Sequence, residues 1–277
     1  MSNSKYLNTI TLQYRPVDDP IKNVELIDSL LSNLRVVKNT LVVCPELSIQ
    51  PYICIRKNKK LFKKAIELKS LVINELKVIC QKYQIYLCVT IFKKDKHGYY
   101  NTAIITDPRG NIIEQYNKKN IPSERCYEEK YYFKKSLNEF KCFNIGAYKI
   151  GVMICWDQWH HNSYTSMKGN GVNLIICPTA IGYCKVGGKI INMPSEKDKW
   201  LDVIKTNSLM INTPIIVSNR VGKEIAQNSS IEFWGSSFIT DSNGTIIKRC
   251  RINQSAISHK ILQNDQITSK KMWNFID

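Results

Sequence analysis

A cysteine at the end of a buried strand is the first candidate for a reactive group in this chain. Residues 150–154 form a nearly continuous apolar run with β-branched members, which predicts a buried strand. Cys155 follows directly, and a helix-like segment begins soon after it. Ligands bind at such strand ends, and the amides of a helix N-terminus can lower a thiol pKa and hold an oxyanion. Cys155 is therefore a candidate nucleophile; the alternative is a small core residue, as most free cysteines are.

Two further strand ends carry groups that can assist a thiol. Glu46 follows the apolar run at residues 41–44, and a carboxylate in such a setting can accept a proton. Lys118 follows the strand predicted at residues 112–116, and an ammonium can stabilise a tetrahedral oxyanion. Taken singly, Glu46 could be a solvent-exposed loop residue, and Lys118 carries no signal by itself because the chain contains many lysines. Together with Cys155 they supply a nucleophile, a base and a cation.

Histidine is the usual partner of a catalytic cysteine, but no histidine falls at a predicted strand end. His97 lies in a predicted turn, and His160 and His161 lie in the helix predicted after Cys155. We expect these two to be solvent-exposed or to contact the substrate. A cysteine–histidine protease is the alternative, and it rests on His160.

Alternating strands and helices must position these groups. Besides two strands before residue 155, the pattern predicts strands at residues 6–14, 40–44, 85–92, 99–106, 112–116, 172–177, 214–219, 233–241 and 245–250. It predicts helices at residues 21–37, 60–83, 158–168 and 195–211. Residues 118–136 and 178–194 are predicted loops, and long loops commonly shape a site. Because hairpins accompany the strand–helix alternation, we expect a mixed sheet, or two sheets, with helices on the outer faces.

Length and charge limit the classes of function. A chain of 277 residues fits one large α/β domain or two small ones, and no linker-like tract divides it. Residues 1–5 lack an apolar signal core and no window is apolar enough for a membrane span, so we expect a cytoplasmic protein. The net charge of +17 can indicate a nucleic-acid binder. The lysines are spread out and outnumber the arginines that base recognition favours, so we expect no nucleic-acid partner.

The ten cysteines show no Cys-x-x-Cys pair and no histidine at zinc spacing. Several of them, Cys44, Cys80, Cys88 and Cys177, lie inside apolar runs. We expect reduced core residues, as in a cytosolic protein, and no disulfide framework.

The three reactive stretches, in their order, resemble the nitrilase (carbon–nitrogen hydrolase) superfamily. They are Cys-Pro-Glu-Leu at residues 44–47, Tyr-Asn-Lys-Lys-Asn-Ile-Pro at 116–122 and Ile-Cys-Trp-Asp at 154–157. Residues 127–133, 178–182, 218–222 and 233–239 also match, so the resemblance covers nearly the whole chain. It implies one domain over residues 1–277 with a short C-terminal extension from about residue 251.

The resemblance implies an α/β fold, a four-layer αββα sandwich of two mixed sheets flanked by helices. It also implies pairing into dimers or larger homo-oligomers, and no metal or organic cofactor. Glu46 would be the base, Lys118 the oxyanion-stabilising cation and Cys155 the nucleophile. The backbone amide of Trp156 would also hold the oxyanion. Glu129 matches a further glutamate that would orient Lys118 and the attacking water.

The alternative for Glu129 is an ion pair with Lys130 or Arg125 within the loop.

Within the superfamily the motifs resemble most the enzymes that hydrolyse N-carbamoylputrescine to putrescine, CO2 and ammonia, a step in polyamine biosynthesis. The alternatives are an amidase acting on β-ureido acids or ω-amides, which needs cations at the pocket mouth, and a non-catalytic scaffold. The residues expected to contact the substrate are Tyr52, Glu124, Asp157, Thr179, Ala180, Glu196 and Trp234. For Asp157 the alternative is a role in holding its loop, and for the aromatic residues it is core packing.

The chain departs from the family pattern away from the triad. Asn120 stands where histidine is usual, and residues 123–126, 160–162 and 165 also differ. The chain ends at residue 277, short of the usual tail. We expect these departures to affect the substrate and the subunit contacts, because the segment after the nucleophile often lies at a subunit interface in this family.

Overall fold

A computed structural model describes residues 6–262 of the chain. The polar start at residues 1–5 and the part of the expected C-terminal extension beyond residue 262 lie outside the described residues.

Between residues 6 and 262, no helix combines the length and the apolar character that crossing a membrane requires.

Sixteen strands and five α-helices alternate along the described chain. The strands are β1 (Tyr6–Leu12), β2 (Leu41–Val43), β3 (Tyr86–Asp95), β4 (Gly98–Thr106), β5 (Ile112–Asn117), β6 (Cys142–Ile145), β7 (Tyr148–Val152), β8 (Leu174–Thr179), β9 (Gly182–Val186), β10 (Lys189–Ile190), β11 (Ile215–Asn219), β12 (Val221–Ala226), β13 (Ser229–Trp234), β14 (Phe238–Thr240), β15 (Ile246–Arg249) and β16 (Ala256–Leu262). The helices are α1 (Pro20–Ser32), α2 (Leu71–Tyr83), α3 (Glu129–Tyr132), α4 (His161–Gly169) and α5 (Glu196–Ile211).

Two six-stranded mixed sheets form the centre of the molecule. The first has the order β16-β1-β2-β3-β4-β5 and the second β15-β14-β11-β8-β7-β6. In each, three central strands are parallel and the outer strands pair antiparallel. Strand β16, within the expected C-terminal extension, pairs with β1.

The sheets pack face to face, and helices cover their outer faces. On β2, Val42 packs with α1 and α2, whereas Leu41 and Val43 point to the core between the sheets. On the second sheet, α4 and α5 supply Met167 and Trp200 to the core. These four layers confirm the expected αββα sandwich.

A third, four-stranded antiparallel sheet, β10-β9-β13-β12, was not expected. It overturns two predictions: residues 178–194 are not a loop but contain the β9–β10 hairpin, and residues 233–241 are divided between β13 and β14. Gly187 and Gly188 form the turn that connects the paired strands β9 and β10.

The predicted helix at residues 60–83 was also wrong in its first half. Residues Lys59–Lys64 form a 3-10 helix, and α2 begins only at Leu71. Between them Ile66 pairs with β3: its N–H donates to the Phe92 carbonyl, and its own carbonyl accepts from the Lys94 N–H. Tertiary pairing thus overrides an amphipathic pattern that is helical by itself.

Candidate active site

The three reactive groups come from strand ends in both sheets. Glu46 follows β2 and Lys118 follows β5 in the first sheet, whereas Cys155 follows β7 in the second. The Lys118 Nζ lies 2.7 Å from Glu46 Oε1, and it contacts both carboxylate oxygens of Glu129, at 2.9 and 2.8 Å. The side chains of Lys118, Glu46 and Glu129 have 0% exposure. Glu129 therefore pairs with Lys118 and not with Lys130 or Arg125.

One oxygen of Glu46 is held and the other is free. Its Oε1 accepts from Lys118 and from the Asn101 side-chain amide, at 2.7 Å each. Its buried Oε2 has no hydrogen-bond partner among the described residues. A buried carboxylate oxygen without a donor is available to take a proton from a thiol or from substrate. Asn101 was missed in the sequence because nothing in its local pattern separates it from other strand asparagines.

Cys155 stands at a sharp turn where β7 gives way to the 3-10 helix Cys155–Trp159. Its φ of +42° is the left-handed conformation that non-glycine residues rarely adopt, a strain typical of functional sites. Its sulfur lies 3.8 Å from the Ala180 carbonyl oxygen. Trp156 is the second residue of this helix. The first backbone N–H groups of a helix have no carbonyl partner within the helix, so the Trp156 N–H is not used by the helix itself.

The expected lowering of the Cys155 pKa by a helix N-terminus is wrong. Burial raises the thiol pKa well above its ordinary value, Glu46 and Glu129 raise it further, and Lys118 opposes them. One turn of 3-10 helix is too short to outweigh this loss of solvation. The thiol is therefore protonated at rest and needs a base, which the free oxygen of Glu46 can supply.

Lys118 stays charged although it is buried. Burial opposes its charge, but the carboxylates of Glu129 and Glu46 outweigh burial and hold the pKa of the ammonium well above its ordinary value. Burial raises the pKa of Glu129 to about 7, against the pull of Lys118. Tyr52 donates its hydroxyl to Glu129 at 2.7 Å.

Asp157 holds the turn at Cys155, which is the alternative to substrate contact given for it above. One carboxylate oxygen accepts from the Ile154 N–H at 2.9 Å and from the Tyr116 hydroxyl at 2.7 Å. The other accepts from the backbone and side-chain N–H groups of Asn120, at 2.8 and 3.0 Å. Asp157 thereby ties the Cys155 turn to the segment that carries Lys118. With all four contacts used inside the protein, the proposed contact with substrate is not supported.

A cavity of about 520 Å³ opens at Cys155, within the range of roughly 300–1,000 Å³ usual for small-molecule sites. Its lining residues are Pro122, Glu124, Arg125, Tyr127, Cys155, Trp156, Trp159, Ile181, Cys184, Ile191, Asn192, Glu196 and Lys199. The expected substrate residues Glu124 and Glu196 are among them.

Four other expected substrate residues do not line this cavity. Tyr52 is buried between Tyr127 and Phe233, and its hydroxyl is used by Glu129. Trp234 packs on two neighbouring aromatic rings of β9 and α5. These two aromatic side chains are core residues, the alternative kept for them.

Thr179 and Ala180 contribute backbone carbonyls and not side chains. The Thr179 carbonyl accepts from the N–H groups of Glu46 and Arg220, at 3.2 Å each. The Ala180 carbonyl faces the sulfur of Cys155. Their effect on the site is to place the base and the nucleophile.

A buried arginine that sequence reasoning passed over fixes the loop that carries the base. Arg220 donates Nη1 to the carbonyl oxygens of Glu46 and Leu47, at 2.9 Å each, and of Gln50, at 3.2 Å. It also forms an ion pair with Glu224. The matching stretch at residues 218–222 contains this arginine, so a signal was present, but no chemistry was attached to it.

Contrary to expectation, two cysteines form a disulfide. Cys126, in the loop after Lys118, is bonded to Cys184 on β9, and the other eight cysteines are free. The cysteines were read from their apolar surroundings, which cannot reveal that two distant chain segments meet at the cavity wall. The Tyr127 hydroxyl reinforces this junction through Gly182, donating to its carbonyl and accepting from its N–H, at 3.1 Å each.

Among residues 6–262, no three histidine, cysteine, aspartate or glutamate side chains are grouped as metal ligands. Glu46, Lys118 and Cys155 can together support nucleophilic attack by sulfur with a carboxylate base and a cationic oxyanion contact.

Comparison with known proteins gives concordant results. Residues 11–271 match the family model described as Carbon-nitrogen hydrolase. A citrullinase from Francisella tularensis is 32% identical over 232 residues, covering 82% of this chain and 78% of the relative. An N-carbamoylputrescine amidase from Arabidopsis thaliana is 29% identical over 266 residues, covering 94% and 88%. A crystal structure of a carbon-nitrogen hydrolase from Helicobacter pylori G27 has a TM-score of 0.88 at 25% identity, covering 98% of this chain and 94% of that one.

Proposed function

Because the chain belongs to the carbon-nitrogen hydrolase family, we propose that it hydrolyses the terminal ureido group of a small linear substrate, a class that includes N-carbamoylputrescine. One observation carries the proposal. The Lys118 ammonium is bridged between Glu46 and Glu129 and acts electrostatically on the thiol of Cys155, which lines the cavity.

Catalysis begins with transfer of the Cys155 proton to the free oxygen of Glu46. The thiolate attacks the ureido carbon, and the oxyanion that forms is stabilised by Lys118 and the backbone amide of Trp156. The C–N bond breaks as Glu46 returns the proton to the departing nitrogen, which leaves a carbamoyl thioester on the cysteine. Water, deprotonated by Glu46, then attacks the carbamoyl carbon, the C–S bond breaks, and the proton passes from Glu46 to the sulfur and restores the thiol. The carbamic acid released breaks its remaining C–N bond and gives CO2 and ammonia. The sum is one ureido group and one water giving an amine, CO2 and ammonia.

Glu129 acts on the reaction through Lys118. Its two oxygens hold the ammonium from one side while Glu46 holds it from the other, so the lysine cannot rotate away when the oxyanion forms. A preformed cation costs no reorganisation at the moment of reaction.

The cavity is consistent with a linear ureido substrate. The curated relatives named citrullinase and N-carbamoylputrescine amidase are named for compounds that both end in a ureido group. The rings of Trp156, Trp159 and Tyr127 line the cavity and can pack on methylene groups. A distal ammonium has Glu124 and Glu196 as candidate partners at the cavity wall.

The test is ammonia release from N-carbamoylputrescine by the purified protein, with N-carbamoyl-β-alanine and an ω-amide in the same panel. Cys155→Ala and Glu46→Gln should stay folded by circular dichroism and release no ammonia above background. Cys142→Ala removes a half-buried thiol outside the cavity and should retain turnover. Turnover by Cys155→Ala would reject the mechanism, and no turnover of any compound would favour a non-catalytic scaffold.

A further inference from the structure

We propose that the cavity mouth contains a carboxylate-binding subsite at Arg125 and Lys199, alongside an ammonium subsite at Glu196. The substrate class is then an ω-ureido α-amino acid such as citrulline, in preference to a ureido amine. This inference rests on the proposed function and specifies the distal end of its substrate.

Four charged side chains line the cavity, two of each sign: Glu124, Glu196, Arg125 and Lys199. None of the four forms an ion pair with another residue in the range 6–262. Elsewhere on the described surface, lysines and acids do pair, as Lys185 does with Glu232 at 3.0 Å. Separate charges of both signs around one cavity complement a ligand that carries both charges.

Glu196 is the carboxylate whose position is fixed. It is half-buried, and its Oε2 accepts from the Asn192 side-chain amide at 2.7 Å. Asn192 is itself held to β9: its Oδ1 accepts from the Cys184 N–H at 2.5 Å, and its Nδ2 lies 3.3 Å from the Gly182 carbonyl. The other oxygen of Glu196 has no partner in the described chain, so it is available to an ammonium.

Arg125 is the cation best suited to a carboxylate. Its guanidinium presents paired N–H groups that match the two oxygens, whereas Lys199 offers a point charge. The disulfide from the adjacent Cys126 to Cys184 fixes the Arg125 backbone, whose carbonyl oxygen lies 3.6 Å from the Cys184 sulfur. The Glu196 and Arg125 subsites are thus both attached to β9, through Asn192 and the disulfide respectively.

A matched pair of compounds isolates this subsite. N-carbamoylputrescine and citrulline share the ureido group, the carbon chain and the ammonium, and differ by one carboxylate on the carbon that bears the ammonium. With the amine, Arg125 and Lys199 would have no substrate anion to pair with. With the amino acid, all the substrate's distal charges have partners.

The experiment measures kcat/KM for both compounds. The wild-type protein should prefer citrulline, and Arg125→Ala should lower the citrulline to N-carbamoylputrescine ratio by at least about tenfold, mainly through KM for citrulline. Arg125→Lys should recover part of that ratio, because it keeps the charge but not the paired geometry. Glu196→Gln should lower kcat/KM for both compounds, since both carry the ammonium.

Lys130→Ala is the matched control, because Lys130 is an exposed cation of the same segment that does not line the cavity. It should leave the ratio unchanged. A wild-type preference for N-carbamoylputrescine, or a ratio that Arg125→Ala does not change, would overturn this inference and leave the proposed function standing. If neither compound releases ammonia, the proposed function itself fails.

Discussion

Replacing Asp157 by asparagine tests how the nucleophile turn is held. The substitution keeps the shape of the side chain but exchanges one acceptor oxygen for a donor. In the structure both oxygens of Asp157 accept two hydrogen bonds each, from Ile154 and Tyr116 on one side and from Asn120 on the other. In Asp157→Asn, the side-chain NH2 group therefore replaces one acceptor oxygen and faces two groups that donate hydrogen bonds in the wild-type protein.

The cost depends on which way the amide turns. Facing Tyr116, the nitrogen can donate to the phenol oxygen once the hydroxyl rotates, but the Ile154 N–H loses its acceptor. If the NH2 group faces Asn120, it can donate to the Asn120 side-chain oxygen once that amide flips, but the Asn120 backbone N–H loses its acceptor. Either way one buried donor is left unsatisfied at about 1–3 kcal/mol, and losing the charge of the acceptor adds about 1 kcal/mol. Burial raises the pKa of Asp157, which shows that burying its charge costs free energy. The neutral asparagine avoids this cost, which offsets part of the loss. We expect a net loss of about 2–3 kcal/mol in the free energy of unfolding.

Urea unfolding gives the stability, and ammonia release gives kcat. We expect kcat to fall at least about tenfold, because a thiol displaced by a fraction of an ångström no longer meets its base and cation. Asp241→Asn is the control: Asp241 accepts from two backbone N–H groups in an exposed turn outside the cavity. It should change stability little and kcat not at all. Wild-type stability and turnover in Asp157→Asn would refute the claim that Asp157 positions the nucleophile.

Four further predictions test other parts of the site. Burial raises the pKa of Glu129 to about 7 and the Tyr52 hydroxyl lowers it, so Tyr52→Phe should move the rising limb of the kcat/KM–pH profile to higher pH; an unmoved limb contradicts this. Because the folded pKa exceeds the unfolded value, Glu129 contributes stability below about pH 4.5 that is lost as pH rises through 7, and Glu129→Gln should flatten that slope in urea unfolding. Arg220→Met should lower kcat at least about tenfold by releasing the loop after β2, and an unchanged kcat counts against the clamp. Thiol titration in denaturant should find eight thiols before reduction and ten after, if Cys126 and Cys184 are bonded; ten at the start excludes the bond.

Local patterns predicted the parts of the fold that local physics determines. The helix α1 is an example: the spacing of apolar residues predicted a helix at residues 21–37, and α1 occupies Pro20–Ser32, so its start was predicted to within one residue and its end was placed five residues too late. Asp19 caps its start by accepting from the N–H groups of Ile21 and Lys22. The third sheet was not predictable in this way, because its strands are short and half-exposed and obtain their order from pairing across the chain.

The same division applies to the site. Glu46, Lys118 and Cys155 were found because each follows a recognisable strand within a matching stretch. Asn101 acts through a contact with a distant segment, and Asn192 through contacts within residues 182–196. No local pattern distinguishes either residue. The raised pKa of the Cys155 thiol also depends on three-dimensional burial, which a strand-end position does not reveal.

The division of the catalytic groups between the sheets has a consequence for protein engineering. Glu46 and Lys118 belong to one layer and Cys155 to the other, so neither layer contains all three of the proposed catalytic groups. A chain severed between β5 and β6 would give two inactive fragments whose reassociation restores turnover. Strand β16 belongs to the second fragment but pairs with β1 of the first, so this pairing would stabilise the association of the two fragments. If the proposed activity holds, ammonia release would measure the association of the two fragments.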